Sequence, residues 1–262
     1  MNIITLTSDY GNNSHYIAAI KGNLLKNIPS IQIVDISHSI DKFNKIETAF
    51  VLSNCYKNFD NGNIHLICVD TNIYEYENVV IAKQQNQYFI ALDNGIINLI
   101  FNQKPDEVWV LKKTMLIHDD LFIENNVFVK VAQHLTSNLP ITEIAELGHL
   151  THNLSLINVA IDEDGITANV AYIDGFGNVH FNLNKLVFEE VRNGRNFKIY
   201  YARKNYFDKI SKHYNEVESG AELVLFNSNN YLEIAINKGN ASQLLGLKTN
   251  SKIIIEFLLI NK

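Results

Sequence analysis

Two textures of hydrophobic patterning divide the chain. Up to about residue 135, short apolar runs alternate with segments whose apolar residues recur at helical spacing. Residues 3–7, 31–36 and 64–69 read as strands. The last is continuously apolar, as strands are when both faces of a parallel sheet are covered. Residues 16–25 and 46–56 read as helices, the second with Ile46, Ala49, Phe50 and Leu52 as its apolar stripe. A further strand around 88–92 precedes a helix beginning near Ile96. This alternation predicts βαβ units and a layered α/β domain over residues 1–150.

Beyond residue 150 strand-like runs dominate: 166–173, 178–183, 197–201, 222–226, 231–236 and 252–259, separated by Gly- and Asn-containing turns. Only 241–247 reads as helix there. The expectation is a smaller C-terminal β-rich, barrel-like or sandwich domain over 151–262, with 136–158, carrying Pro140 and Gly148, as the linker. No repeat of solenoid period and no low-complexity tract interrupts either half.

Composition narrows the class. Hydrophobic residues make up 47% and charged ones 19%, so both domains can bury cores. The net charge of −6 and pI near 5.8 argue against a phosphate-neutralising nucleic-acid binder. The longest apolar run, 253–260, is broken by Glu256 and falls short of a membrane helix. The N-terminus has no basic region and carries Asp9, which predicts a cytoplasmic protein without a secretory signal. Cys55 and Cys68 sit among apolar neighbours and read as small core residues.

Candidate chemistry begins at strand ends. Asp9, in Asp9-Tyr10-Gly11, follows the first strand, where open α/β sheets bind ligands and where a carboxylate can take both hydroxyls of a ribose. The plain alternative is a helix-capping turn. Asp70 repeats the arrangement, and Asp93-Asn94-Gly95 forms a third junction that alone reads as a turn. Parallel strands share one carboxyl edge, so the three acids are expected in one crevice. No Gly-x-Gly-x-x-Gly loop is present, which leaves classical dinucleotide binding without support.

The segments TSDYGNNSHYIAAIKG, IVDISHSIDKFNKIETAFVL, the strand end at Asp70, ALDNGIINLI, IDGFGNVHFNL and NSNNYLEIAINKGNASQLLGL, in this order and spacing, resemble the S-adenosylmethionine (SAM) hydroxide adenosyltransferase family. That family includes SAM-dependent fluorinases and chlorinases. The resemblance covers nearly the whole chain. It implies an N-terminal α/β domain, a C-terminal β-barrel-like domain, and a homotrimer with SAM between one subunit's N-terminal domain and a neighbour's C-terminal domain. SAM or adenosine is then the small-molecule partner, with no cofactor, metal, nucleic acid or membrane. The implied roles give the ribose hydroxyls to Asp9, the methionine ammonium to Asp174 and the adenine face to Phe176. Asn178 would take the adenine edge, Ser228 the amino-acid end, and the backbone around Asn237 and Lys238 the adenine amine. Read without the family, Asp174 to Asn178 is a Gly-rich turn and Ser228-Asn229-Asn230 a hairpin turn.

Departures from the family are concentrated where water is handled. Hydrolytic members position water with an Asp, an Arg seven residues later, and a downstream His. Asp70 matches the first, Glu77 stands at the Arg position and Ile123 at the His position. Halogenases replace the Asp by an aromatic residue, and the fluorinase type carries an insertion in the first domain; neither feature is present. His118, flanked by Asp119 and Asp120, is an alternative base or a plain turn residue. Glu77 beside Asp70 would place two carboxylates together and raise one of their pKa values. Two readings therefore stay open. One is a hydrolase cleaving SAM with water to adenosine and L-methionine, at a reduced rate. The other is a non-hydrolytic SAM- or adenosine-binding module or sensor.

Overall fold

The computed structural model describes residues 2–101, 104–116, 120–152, 154, 159–162, 165–202, 204–249 and 251–258. It separates into two compact units, Met1–Leu156 and Ile157–Lys262.

The first unit is a seven-stranded sheet with helices on both faces. Its strands are β1 (Asn2–Ser8), β2 (Ile31–Ser37), β3 (Ile64–Cys68), β4 (Val79–Gln84), β5 (Gln87–Leu92), β6 (Glu107–Leu111) and β7 (Ala145–Leu147). Its helices are α1 (His15–Asn27), α2 (Lys45–Ser53), α3 (Ile96–Phe101) and α4 (Val129–Thr136), the last preceded by a π-helical turn, Glu124–Phe128. The order is β2-β1-β3-β5-β4-β6-β7. Neighbours β2-β1-β3-β5 are parallel, and β4, β6 and β7 pair antiparallel.

Side-chain alternation along the strands feeds two cores. Ile64 and Leu66 face α1 and α4, with Ile20, Leu24, Val127 and Val131. Ile67 and Val69 face α2 and α3, with Leu52, Ile97 and Ile100. Every residue of β3 is buried, as its apolar run predicts. The antiparallel β4 has no counterpart in the sequence reading. Gln85 and Asn86, both at positive φ (50° and 56°), join it to β5 in a tight hairpin that lacks the usual Gly.

The second unit is an eight-stranded antiparallel sheet. It contains β8 (Ala160–Ile161), β9 (Gly165–Ile173), β10 (Val179–Asn184), β11 (Phe197–Tyr200), β12 (Tyr206–Phe207), β13 (Glu222–Phe226), β14 (Tyr231–Ile236) and β15 (Lys252–Phe257). The path runs β12-β11-β15-β9-β10-β14-β13, with β8 on β9. A bridge from Ser211, just past β12, to Leu225 of β13 links the two ends, so the sheet is nearly closed into a barrel. Besides α6 (Ala241–Leu245), the unit holds α5 (Lys185–Arg192), which corrects the expectation of a single helix there. The β-favouring Leu186-Val187-Phe188 hides it in the sequence. Asn184 caps its first turn by accepting from the Leu186 amide, Asn193 and Gly194 end it at positive φ, and Phe188 anchors it on the core.

No helix among the described residues is long and apolar enough to cross a membrane. Cys68 is buried in the first core and Cys55 is half-buried, both as free thiols.

Candidate functional site

Three acids leave the carboxyl ends of the adjacent parallel strands β1, β3 and β5. Ser8 and Cys68 are register partners, so Asp9, one residue on, and Asp70, two residues on, leave neighbouring strand ends. Neighbouring strands lie about 4.8 Å apart.

Asp9 is 6% exposed. Its Oδ2 accepts the Phe43 amide at 2.9 Å, and its carbonyl takes a hydrogen bond from the Lys42 ammonium. It does not cap α1: Ser14 does that. Asp9 thus holds the loop after β2 beside the strand end, with Phe43 exposed at φ 62°.

Asp70 has left-handed backbone, φ 52°, an uncommon conformation for a residue with a side chain. Its Oδ2 is 2.9 Å from the Lys45 ammonium at the start of α2 and accepts the Tyr76 hydroxyl at 3.0 Å. The Asn94 side chain donates to the Asp70 carbonyl at 3.0 Å and the Val69 carbonyl at 3.2 Å, and accepts the Ile96 amide at 3.1 Å. Asp93 is spent elsewhere. Its Oδ2 accepts the Thr151 amide at 2.7 Å and the Thr151 hydroxyl, and its other oxygen faces the His152 amide. The third acid is a clasp, as its turn sequence suggests.

The two departures behave differently from each other. Glu77 is exposed, and its carbonyl accepts the Lys113 ammonium at 2.7 Å. The group against the Asp70 carboxylate is therefore a cation, which corrects the expectation of paired carboxylates. Ile123 is 2% exposed and belongs to the core facing α1 and α4. Its neighbour Glu124, on the π-turn, is buried and accepts hydrogen bonds from both the Tyr10 and Thr71 hydroxyls. It thus ties together the residues following Asp9 and Asp70. Burial pushes the Glu124 carboxyl up, against those hydrogen bonds, and burial together with the charges of Cys68 and Glu124 pushes the Tyr10 hydroxyl up. π-Turns within helices often mark functional sites. His118 and Asp119 lie outside the described residues.

In the second unit, Asp174, Phe176, Asn178, Asn237 and Lys238 line one cavity of about 680 Å³ together with Tyr214. The turn after β9 is built by Asp174, whose Oδ1 accepts the Phe176 and Asn178 amides, both at 2.9 Å. Its Oδ2 takes the Asn178 side chain at 3.0 Å. The turn presents the Phe176 ring 80% exposed, an uncommon fate for phenylalanine. Gly177, at φ 81°, packs against Asn240 so closely that a Cβ would lie 2.2 Å from its side chain. Lys238 is left-handed at φ 58°. The Asn237 amide is taken by the Ala221 carbonyl, and its own carbonyl accepts from Gly220 with a second lone pair to spare.

Ser228 does not line that cavity; it is exposed in the turn between β13 and β14. That turn is nonetheless wired to Asp174, because Asn227 meets His180 Nδ1 at 3.0 Å and His180 Nε2 lies 3.4 Å from Asp174. Behind the cavity Tyr214 donates to the buried Glu233 at 2.7 Å, and burial pushes the Glu233 carboxyl up. Among the described residues no group of three or more His, Cys, Asp or Glu side chains is arranged to hold a metal ion.

Lys45, Tyr76, Glu124 and Tyr214 escaped the sequence reading. Lys45 follows a recognisable cap, Asn44, whose side chain accepts the Glu47 amide. Nothing in the sequence aims it across at Asp70.

Sequence models of the SAM hydroxide adenosyltransferase N-terminal and C-terminal domains match residues 4–145 and 168–254. The chain is 28% identical over 263 residues to the (R)-S-adenosyl-L-methionine hydrolase of Methanocaldococcus jannaschii, covering 94% of this chain and 93% of that one. It is 26% identical to the protein of the same name from Thermus thermophilus, covering 95% and 97%. Among solved structures, an uncharacterized conserved protein from Thermotoga maritima matches with a TM-score of 0.85 at 27% identity, covering 97% of this chain and 99% of that one. The domain matches, together spanning both units, establish that this chain belongs to the SAM hydroxide adenosyltransferase family.

Proposed function

We propose that the protein hydrolyses SAM at the ribose C5′, giving adenosine and L-methionine. Relatives named as (R)-SAM hydrolases support the reaction class. The observation that carries the reading is the pair of carboxylates at the ends of β1 and β3. Their strand spacing is of the same order as the distance from a ribose diol to its C5′. Asp9 then accepts from the diol while Asp70 accepts from a water placed behind C5′.

As the water oxygen bonds to C5′, the C5′–S bond breaks. Its electron pair stays on sulfur, converting the sulfonium to the neutral thioether of methionine. One water proton leaves through the Asp70 carboxylate to solvent. The leaving group is already activated, so in-line placement of water supplies much of the rate. The cavity beside Phe176 is large enough for a nucleoside base, with Asp174 and Asn178 as polar partners and Tyr214 as a second ring.

The finer parts of the proposal are a cytoplasmic homotrimer that needs no cofactor and whose assembly completes the sites. Incubation with SAM followed by chromatography tests the reaction. Adenosine and methionine in equal amounts support it. Tight binding of SAM by calorimetry without products would favour the binding-module reading, for which the buried Ile123 speaks.

A further inference from the structure

Asp70 is held by a cluster of Lys45, Tyr76 and Asn94. Lys45 Nζ lies 2.9 Å from Asp70 Oδ2, donates to the Tyr76 hydroxyl at 2.9 Å, and donates to the Asn94 carbonyl at 3.1 Å. An ammonium has three protons, and these three acceptors take all of them. Lys45 therefore has no donor left for a ligand or a water.

The Tyr76 hydroxyl, receiving from Lys45, donates in turn to the same Asp70 oxygen at 3.0 Å. Both contacts use Oδ2, so neither of them engages Oδ1. The side chains of Lys45 and Asp70 are 19% and 12% exposed, so solvent screens the pair little. Burial alone would favour loss of the Lys45 proton. The hydrogen bonds to Tyr76 and Asp70 and the Asp70 charge outweigh it and hold the ammonium above its ordinary value.

We infer that Lys45, with Tyr76, is the positioning element of the hydrolytic site, filling from α2 the place of the arginine that Glu77 lacks. Lys45 fixes the rotamer of Asp70, so that Oδ1 orients the attacking water; it touches neither water nor substrate. This inference rests on the hydrolytic reading. It also explains how Glu77 can face solvent without leaving Asp70 unpaired.

The test is steady-state adenosine release from SAM by wild type, Lys45→Met, Lys45→Arg and Tyr76→Phe, each checked for its thermal midpoint. Lys45→Met should lower kcat by at least about tenfold while KM stays within about twofold, since the residue acts on the reacting water alone. Lys45→Arg should restore most of kcat. Tyr76→Phe should give a smaller loss in the same direction, and it serves if Lys45→Met does not fold.

Wild-type kcat in both Lys45→Met and Tyr76→Phe would overturn this inference alone. So would a loss that Lys45→Arg does not rescue and that tracks a lowered midpoint, because Lys45 would then be structural. A wild type that releases no adenosine would overturn the hydrolytic reading and this inference with it.

Discussion

The Asn94 side chain donates to the Asp70 carbonyl at 3.0 Å, joining the residue after β5 to the residue after β3. The same side chain holds the Val69 carbonyl and the Ile96 amide. A left-handed aspartate is thereby fixed at the crevice edge, where its unfavourable backbone is compensated by the neighbouring strand end. Asn94→Ala removes three hydrogen bonds, two of them buried, each worth roughly 0.5–1.5 kcal/mol. Urea unfolding should show a loss of about 2–4 kcal/mol, accompanied by lower turnover. Unchanged stability would mean that Asp70 holds its conformation without Asn94.

Asp9 has two duties, one toward the Phe43 amide and one proposed toward the ribose. Asp9→Ala should weaken adenosine binding by at least about tenfold, as expected for a charge-assisted pair with a diol. Asp9→Asn, which keeps an acceptor for Phe43, separates the two duties. If Asn binds adenosine like wild type, the carboxylate serves the loop and not the ligand.

Restoring the family's missing groups should not restore anything. Glu77 is exposed, so Glu77→Arg should change stability by no more than about 0.5 kcal/mol. It should leave adenosine release unchanged because Lys45 already pairs with Asp70. Ile123→His places an imidazole in an apolar core and should cost roughly 1–3 kcal/mol from unsatisfied polar groups alone. Thermal unfolding and adenosine release by each single variant and the pair check this. A double variant that is faster than wild type would mean that Ile123 borders the water site after all.

The βαβ alternation at the start of the first unit was readable because short apolar strand runs, with β3 buried throughout, alternate with amphipathic helices. The strand ends at Asp9 and Asp70 followed directly from it. The hairpin at Gln85-Asn86 was not readable, because polar residues took left-handed conformations without a glycine to mark them. α5 was hidden by Leu186-Val187-Phe188, whose β propensity is overridden by Asn184 at one end and Asn193-Gly194 at the other. The cavity in the second unit gathers five residues named by resemblance, because one turn and one hairpin end carry them. Ser228 sits on a different turn. Lys45 was invisible for a further reason: its partner lies across the sheet edge, and sequence spacing says nothing about contacts of that kind.

Gly177 offers a clean test of the turn that presents Phe176. Gly177→Ala meets a left-handed φ of 81°, which costs an L-residue roughly 1–2 kcal/mol. Its Cβ also displaces Asn240, which caps α6 by accepting the Gln243 amide at 2.8 Å. Stability should fall by more than about 1 kcal/mol and adenosine affinity with it. Stability and affinity both at wild-type level would show that the turn can relax.

Burial raises the Glu124 carboxyl above its ordinary 4.5. An acid raised by folding binds its proton more tightly in the native state. Its contribution to stability is therefore fullest below the unfolded value, falls as pH rises to the folded value, and is constant above both. Glu124→Gln removes this ionisation and retains an acceptor for Tyr10 or Thr71. Urea unfolding across that window should show a shallower decline for the variant than for wild type. Equal slopes would contradict the assignment.

Hydrolysis in water enriched with oxygen-18 addresses the central claim most directly. With SAM as substrate, the account predicts adenosine carrying one heavy oxygen at its 5′ position and methionine carrying none, and it predicts that Asp70→Ala abolishes both products. SAM bound but recovered intact, or adenosine formed without the label, would contradict it.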